Sequence, residues 1–444
     1  MSAADTPSNV PRRWARLRQA YAWRKNFESL YHRPAGHQRP VDGLRALSMF
    51  WVMATHVCLA LSVLVDYPSF RHLVDTLPPA LSWIWHGEKA LDTFFVISGY
   101  LIGGALMAEH RRTGRLRLPR FYARRYLRLT PAYVAAVLIV WAIGVEPARK
   151  TSHLWANLLY VNNFLSCDQM FMDWTWSLAV EEQFYLVLPL FLLLLFLRTR
   201  HKLAVMGALF AASFVVRARV LLLHPHLTQT SFANHFFRDF PGFTCEYFDS
   251  VYDKLPTRYG PFVVGVALAW GHLHHGQRLR RFFARRFASD ATWLAGAAAC
   301  VALLGVPIFR PDAPSGPALA PSVIFAYAVV HRNVWAVGVG LGLLASLYPK
   351  GPLSRASATI LGARVWYPVA QLSYCTYLFH LGFVMVAYLM VAKLLHAGVD
   401  PRQALAAFSV PELGLALALT TVMSFAFGAI VYLLIERPFL NLRR

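Results

Sequence analysis

The chain has 444 residues, of which 57% are hydrophobic and 15% are charged, against about 25% charged in an ordinary soluble domain. With a mean hydropathy of +0.42, this balance excludes a disordered chain, a small disulfide scaffold and a secreted soluble enzyme, and it points to a polytopic membrane protein. The formal charge of +22 would suit a nucleic-acid partner, but the basic residues fall in short blocks between apolar runs, the pattern of cytoplasmic loops under the positive-inside rule. No nucleic-acid partner is therefore expected. The five cysteines lack metal-ligand spacing, and no metal is expected.

Residues 1–39 read as a basic cytoplasmic extension carrying Arg12, Arg13, Arg16, Arg18, Arg24, Lys25, Arg33 and Arg39. No short apolar core with a small-residue cleavage site marks a signal peptide there. Apolar runs follow at Leu44–Val65, Leu91–Met107, Pro131–Val145, Phe184–Leu197, Leu203–Leu223, Pro261–His272, Ala291–Phe309, Val323–Leu347, Val369–Leu395 and Leu413–Ile435. They predict an all-α fold with about ten transmembrane helices in one domain, residues 40–440. Trp155–Leu165 is too short to span and reads as interfacial or re-entrant.

The connections alternate in charge. Arg111–Arg128, Arg198–Lys202, Arg278–Arg286, Lys350–Arg364 and Arg437–Arg444 are Arg-rich, whereas the connections holding Arg71 and Lys89, or Arg149 and Lys150, are poor. Both termini are therefore predicted to be cytoplasmic. His224–Tyr259 is the longest external connection, and the Pro-rich stretch Arg310–Pro321 reads as a short external loop.

Ionisable groups inside apolar spans are costly and mark functional candidates. Arg45 and His56 are eleven residues apart, which is three helical turns plus about 20°, so they share a face roughly 16 Å apart along the axis. A cation below an imidazole suits a long anionic ligand. A snorkelling arginine with an internally hydrogen-bonded histidine is an equal reading. In the second run, Ser98, Gly99, Gly103 and Gly104 permit close helix approach. Arg125 and Arg128 lie three apart on one helical face, and guanidinium forks match phosphate. Inner-leaflet charge explains them equally well.

Glu181 and Glu182 open the fourth run, where a carboxylate either caps the helix dipole or faces inward. His380 falls at mid-depth in the ninth run, with a structural role at least as expected as a catalytic one. Arg332 in the eighth calls for an interior partner or a wet cavity. Cys167 and Cys245 are the two cysteines placed in external connections. An oxidising compartment would permit a bond between them, but their separation in space is not readable. His272, His274 and His275, and His224, His226 and His235, show no zinc spacing.

In order along the chain come Arg45-x10-His56 after Asp42-Gly-Leu, Phe-Phe-Val-Ile-Ser-Gly-Tyr-Leu-Ile, Phe-Tyr-Ala-Arg-Arg-Tyr-Leu-Arg-Leu-Thr-Pro, Trp-Ser-Leu-Ala-Val-Glu-Glu-Gln-Phe-Tyr, Tyr-Leu-Phe-His and Glu436-Arg-Pro. From about Arg39 to Phe439 this set resembles the acyltransferase-3 family of bacterial inner-membrane O-acyltransferases. The resemblance implies a multi-pass inner-membrane enzyme moving an acyl group, commonly acetyl from cytoplasmic acetyl-CoA, to a hydroxyl of a periplasmic or cell-surface glycan. Some members acylate a macrolide instead. It places functional weight on Arg45, His56, the Arg125/Arg128 region and Glu181. The SGNH domain fused to some relatives is not expected here. The family's usual Ser-Tyr-Pro-Leu-Tyr reads Ser-Tyr-Cys-Thr-Tyr.

The expected mechanism has Arg45, Arg125 and Arg128 holding the phosphates of CoA. His56 acts as general base, and Glu181 orients its imidazole; direct transfer and a transient acyl-enzyme both fit the sequence. The competing class is a transporter or flippase of a lipid-linked glycan, which also uses intramembrane Arg, His and Glu. Against it, no inverted repeat or pair of broken helices is visible.

Overall fold

The structure is a computed structural model that describes residues 14, 17–34, 36–229, 242–306 and 319–442. Arg12, Arg13, Arg16, His235, Arg443, Arg444 and most of the Pro-rich 310–321 stretch lie outside the described residues.

Each predicted apolar run falls on a helix, because in a bilayer a helix satisfies its own backbone polar groups. The ten are α1 (Arg39–Ser62), α2 (Glu88–Thr113), α3 (Leu118–Ile143), α4 (Trp176–Phe191), α5 (Lys202–Leu223), α6 (Leu255–Phe283), α7 (Ala288–Leu304), α8 (Pro321–Leu347), α9 (Trp366–Leu395) and α10 (Val410–Val431). No strand occurs among the described residues. Proline occupies the first turn of α1, α3, α6, α8 and α10, where its missing N–H costs nothing. Gly114 and Gly144 end α2 and α3 in the left-handed conformation, which glycine adopts without strain.

Among the described residues, eight of these helices are long and apolar enough to cross a membrane alone; α4 does so with its continuation to Phe196. α6 and α7 meet this test only together, as a pair bent by 107°, and make nine if counted as one span. The predicted count of about ten thus rests on whether α6 and α7 each cross. The segment read as interfacial holds the short helix Leu154–Leu158 and a 3-10 turn, Asn162–Phe164.

α2 lies at the centre: 72% of its apolar window is buried in protein, against 22% for α5. α2 packs on α6 through paired glycines. A Cβ on Gly99 would meet the Phe262 carbonyl oxygen at 2.2 Å, and one on Gly265 would meet that of Val96 at 2.1 Å. Apolar area gains little between helices already in lipid, so close backbone approach of this kind carries the association. α9 packs between α1 and α10, and α7 lies on α8. At the arginine-rich face the described part of the N-terminal extension is docked. Arg33 donates to the carbonyls of Gly362 and Ala363 at 2.8 Å each and pairs with Asp42 at 2.9 Å. Asn441 donates to Ala20 O and Asn26 Oδ1.

Candidate active site

α1 carries Arg45 and His56 into two different chambers. Arg45 lines a small one of about 130 Å³ toward the arginine-rich face. His56 lines a large one of about 1030 Å³ toward the opposite face. Leu91 of α2 and Tyr377 of α9 line both chambers and stand as a neck between them. Tyr377 is held at this neck from two sides: its Oη donates to Trp174 O at 2.5 Å and bonds Ser177 Oγ at 2.7 Å.

The small chamber brings all three predicted phosphate-binding arginines together. Arg45 Nη2 donates to Ser373 Oγ at 3.1 Å. Arg125 and Arg128 reach the same space from α3, and the Arg125 guanidinium stacks 4.0 Å over the Tyr185 ring. Glu436, from the terminal Glu-Arg-Pro, lies buried within electrostatic reach of Arg45 and Arg128. It accepts from Cys375 Sγ at 3.1 Å. The residue that departs from the family's Ser-Tyr-Pro pattern therefore anchors a counter-charge of the arginine cluster.

Glu181 lines this arginine chamber too, rather than the one holding His56. Its carboxylate accepts hydrogen bonds from Ser98 and from Tyr185 Oη. The expected Glu181–imidazole contact does not form, because Glu181 faces Ser98 on α2 while His56 opens beyond the Tyr377 neck. Through Tyr185 the carboxylate instead braces the ring on which Arg125 stacks.

The partner of His56 is His380. His380 Nε2 lies 2.9 Å from His56 Nδ1, and His380 Nδ1 lies 2.7 Å from the carbonyl oxygen of Tyr377. A carbonyl only accepts, so His380 Nδ1 carries its proton. In a neutral ring, Nε2 is then an acceptor. His56 Nδ1–H donates to it; the His56 ring, which also hydrogen-bonds the backbone of Val52, lines the large chamber. A ring held in place beside a chamber is what a general base needs. The sequence shows His380 at mid-depth but carries no sign of this pairing.

Around His56 the large chamber is lined by Trp85, Trp174, Trp176 and Tyr252, with Glu88, Glu146, Lys150 and Asp173. Lys150 bonds Asp173 at 3.1 Å. Cys167, also on the wall, is disulfide-bonded to Cys245, which closes the question the sequence leaves open. Behind this wall lies a buried charge network that sequence reasoning foresaw only in part. Arg258 Nη1 donates to Asp92 Oδ1 at 2.9 Å, and Arg332 lies 3.9 Å from the same oxygen. Lys89 pairs with Glu88 at 2.9 Å and contacts His331. Arg217 donates to the carbonyls of Val329 and Thr257. Arg332 thus has the interior partner it required. Among the described residues, no group of three or more His, Cys, Asp or Glu is placed to hold a metal ion.

A family profile described as an acyltransferase domain matches residues 40–435. The chain is 25% identical to the nose resistant to fluoxetine protein 6 of Caenorhabditis elegans over 378 residues, covering 77% of this chain and 44% of that protein. It is 32% identical to the O-acetyltransferase OatA of Staphylococcus aureus over 199 residues, covering 41% of this chain and 29% of that protein. The chain thus spans less than half the length of either relative. No solved structure matches it significantly. With the profile running from the first turn of α1 to the end of the last span, the chain belongs to the acyltransferase-3 family.

Proposed function

We propose that the protein is a bacterial inner-membrane O-acyltransferase with both termini in the cytoplasm. It takes an acyl group, acetyl by analogy with the O-acetyltransferase relative, from cytoplasmic acyl-CoA and passes it to a glycan hydroxyl on the periplasmic side. The observation that carries this reading is the pair of chambers that share Leu91 and Tyr377, with three arginines in one and His56, paired with His380, in the other. The arginine chamber suits the phosphates of acyl-CoA, since guanidinium groups bind them with charge-assisted hydrogen bonds. The arm that carries the thioester would pass the neck toward His56.

There His56 Nε2 removes the proton of the acceptor hydroxyl. The hydroxyl oxygen attacks the thioester carbonyl carbon; a C–O bond forms and the C–S bond breaks. The departing thiolate takes the proton back from the imidazolium, so the products are the ester and free CoA. His380, accepting from His56 Nδ1, stabilises the imidazolium and holds the ring in register.

The test is acyl transfer and CoA release per mole of detergent-purified, monodisperse protein. General-base catalysis contributes about 10²–10⁴-fold, so His56→Ala is expected to lose activity of that order with normal yield and elution. Full specific activity in His56→Ala would return the histidine to packing. Substrate movement without CoA release would favour a transporter.

A further inference from the structure

The basic extension that precedes α1 is built the wrong way round for a segment in water. Its helix, Trp23–Glu28, turns Asn26 toward the bundle and Trp23 and Phe27 away from it: Asn26 is 2% exposed and Trp23 75%. Four residues beyond Phe27 stands Tyr31, also exposed, with the two ring centroids 5.4 Å apart. Trp14, Leu17 and Tyr21 are exposed as well. In a segment bathed by water, the large apolar side chains pack and the asparagine stays outside. Here the inversion is held from the inner side. Asn26 donates to Ala20 O at 2.9 Å and accepts from Asn441 at 2.8 Å. Leu30 is buried, and the helix packs against Tyr432–Glu436 at the end of the last span. Downstream, Arg33 clasps the carbonyls of Gly362 and Ala363 and the Asp42 carboxylate, with its guanidinium 5.6 Å over the Tyr367 ring. The aromatic face therefore keeps a fixed orientation on the arginine-rich end of the bundle.

Charge and position say what covers this face. Arg18, Arg24 and Lys25 are exposed beside the rings. Glu28 is the one acidic residue in the sequence between Trp14 and Pro34, and it pairs with Arg24 at 3.6 Å. Arg12, Arg13 and Arg16 add to the same charge in the sequence. Tyr31 precedes Arg39, the first residue of α1, by eight residues, a reach of at most about 28 Å, so the face stays close to the bilayer that α1 enters. Tryptophan and tyrosine settle at headgroup level, and basic side chains beside a membrane are drawn to anionic lipid. We propose that the Trp23–Phe27–Tyr31 face lies in the headgroup layer of the leaflet that meets the arginine-rich end, with Arg18, Arg24 and Lys25 against anionic lipid headgroups. This lipid-binding surface uses neither His56 nor the arginine chamber, so it stands whether or not the chain transfers acyl groups.

The experiment places a benzophenone side chain at position 27 of the full chain, by amber suppression, in nanodiscs holding phosphatidylcholine and phosphatidylglycerol in equal amounts. On irradiation, adducts of one chain with one lipid are expected, and phosphatidylglycerol should exceed phosphatidylcholine among them by at least about fivefold. Raising the salt should remove most of that preference, because exposed charges are screened. The triple variant Arg18→Gln, Arg24→Gln, Lys25→Gln should lower it by at least about twofold at low salt, with unchanged yield and elution. The salt series reads the same preference on a chain whose basic residues are intact, so it decides the matter if the triple variant fails to fold. Adducts that join two chains would overturn the proposal in favour of a second copy on this face. Irradiation that yields no lipid adduct, equal capture of the two lipids at low salt, or a preference that salt does not reduce would overturn it outright.

Discussion

The two chambers on either side of Tyr377 differ in almost every respect. One is about 130 Å³ and gathers Arg45, Arg125 and Arg128 with Glu181; the other is about 1030 Å³, mainly apolar, and is lined by the His56 imidazole. A tight cationic site selects a ligand by charge and geometry. A wide apolar one selects by shape and surface, with a few polar groups fixing orientation. On the proposed function, the contrast would put affinity for the donor on one side of the neck, and chemistry with choice of acceptor on the other. Substitutions in the two chambers should therefore move different kinetic constants.

The largest effect expected from a residue beyond His56 is that of His380. His380→Ala should lower kcat by roughly 10-fold to 100-fold, by analogy with loss of the outer hydrogen-bond partner of a metal-bound histidine, and leave the KM for acyl-CoA unchanged. His380→Gln, whose amide oxygen can accept from His56 Nδ1–H, should recover part of the loss. A purely structural His380 would give equal defects in both variants, visible as lost thermal stability.

Next in size is the arginine side. A hydrogen bond to a charged group contributes about 1.5–3 kcal/mol, so Arg45→Ala should raise the KM for acyl-CoA by about tenfold or more, with kcat much less affected. Arg45→Lys should restore only part of the affinity, because an ammonium cannot pair bidentately. Steady-state kinetics with acyl-CoA varied at saturating acceptor checks this. If Arg45→Ala changed kcat alone, the division between the chambers would fail.

The smallest effect is expected from the disulfide. Cys167→Ser with Cys245→Ser should lower the melting temperature, since a native bond contributes typically about 2–4 kcal/mol. It should also raise the KM for acceptor a few-fold without touching that for acyl-CoA. A change in donor KM would mean that the two chambers are mechanically coupled.

What the sequence made legible follows from the range of its regularities. Helical periodicity puts Arg45 and His56 on one interior face, and Arg125 and Arg128 on another, because those relations lie within single helices. The small residues at Ser98–Gly104 announced a close helix contact, and Gly99 against Phe262 supplies it. The same rules are silent between helices. Nothing in the spacing around Glu181 distinguishes a carboxylate facing His56 from one facing Ser98 and Tyr185. His380 lies 324 residues from the ring it contacts. Arg217, Arg258 and Lys89 sit in or beside apolar runs as isolated charges, and only the packed bundle reveals Asp92 and Glu88 as their shared counter-charges.

The 324-residue separation of the two histidines also bears on how the protein is made. During synthesis, α1 and its imidazole enter the bilayer long before α9 exists. Until α9 is inserted, His56 lacks His380, no Tyr377 stands between the chambers, and no Ser373 receives Arg45. The N-terminal segment waits longer still, since Ala20 and Asn26 find Asn441 only when the end of the bundle has emerged. On the proposed function, a chain stalled or truncated before the ninth helix would insert without the means to consume thioester, and activity would become a readout of completed assembly.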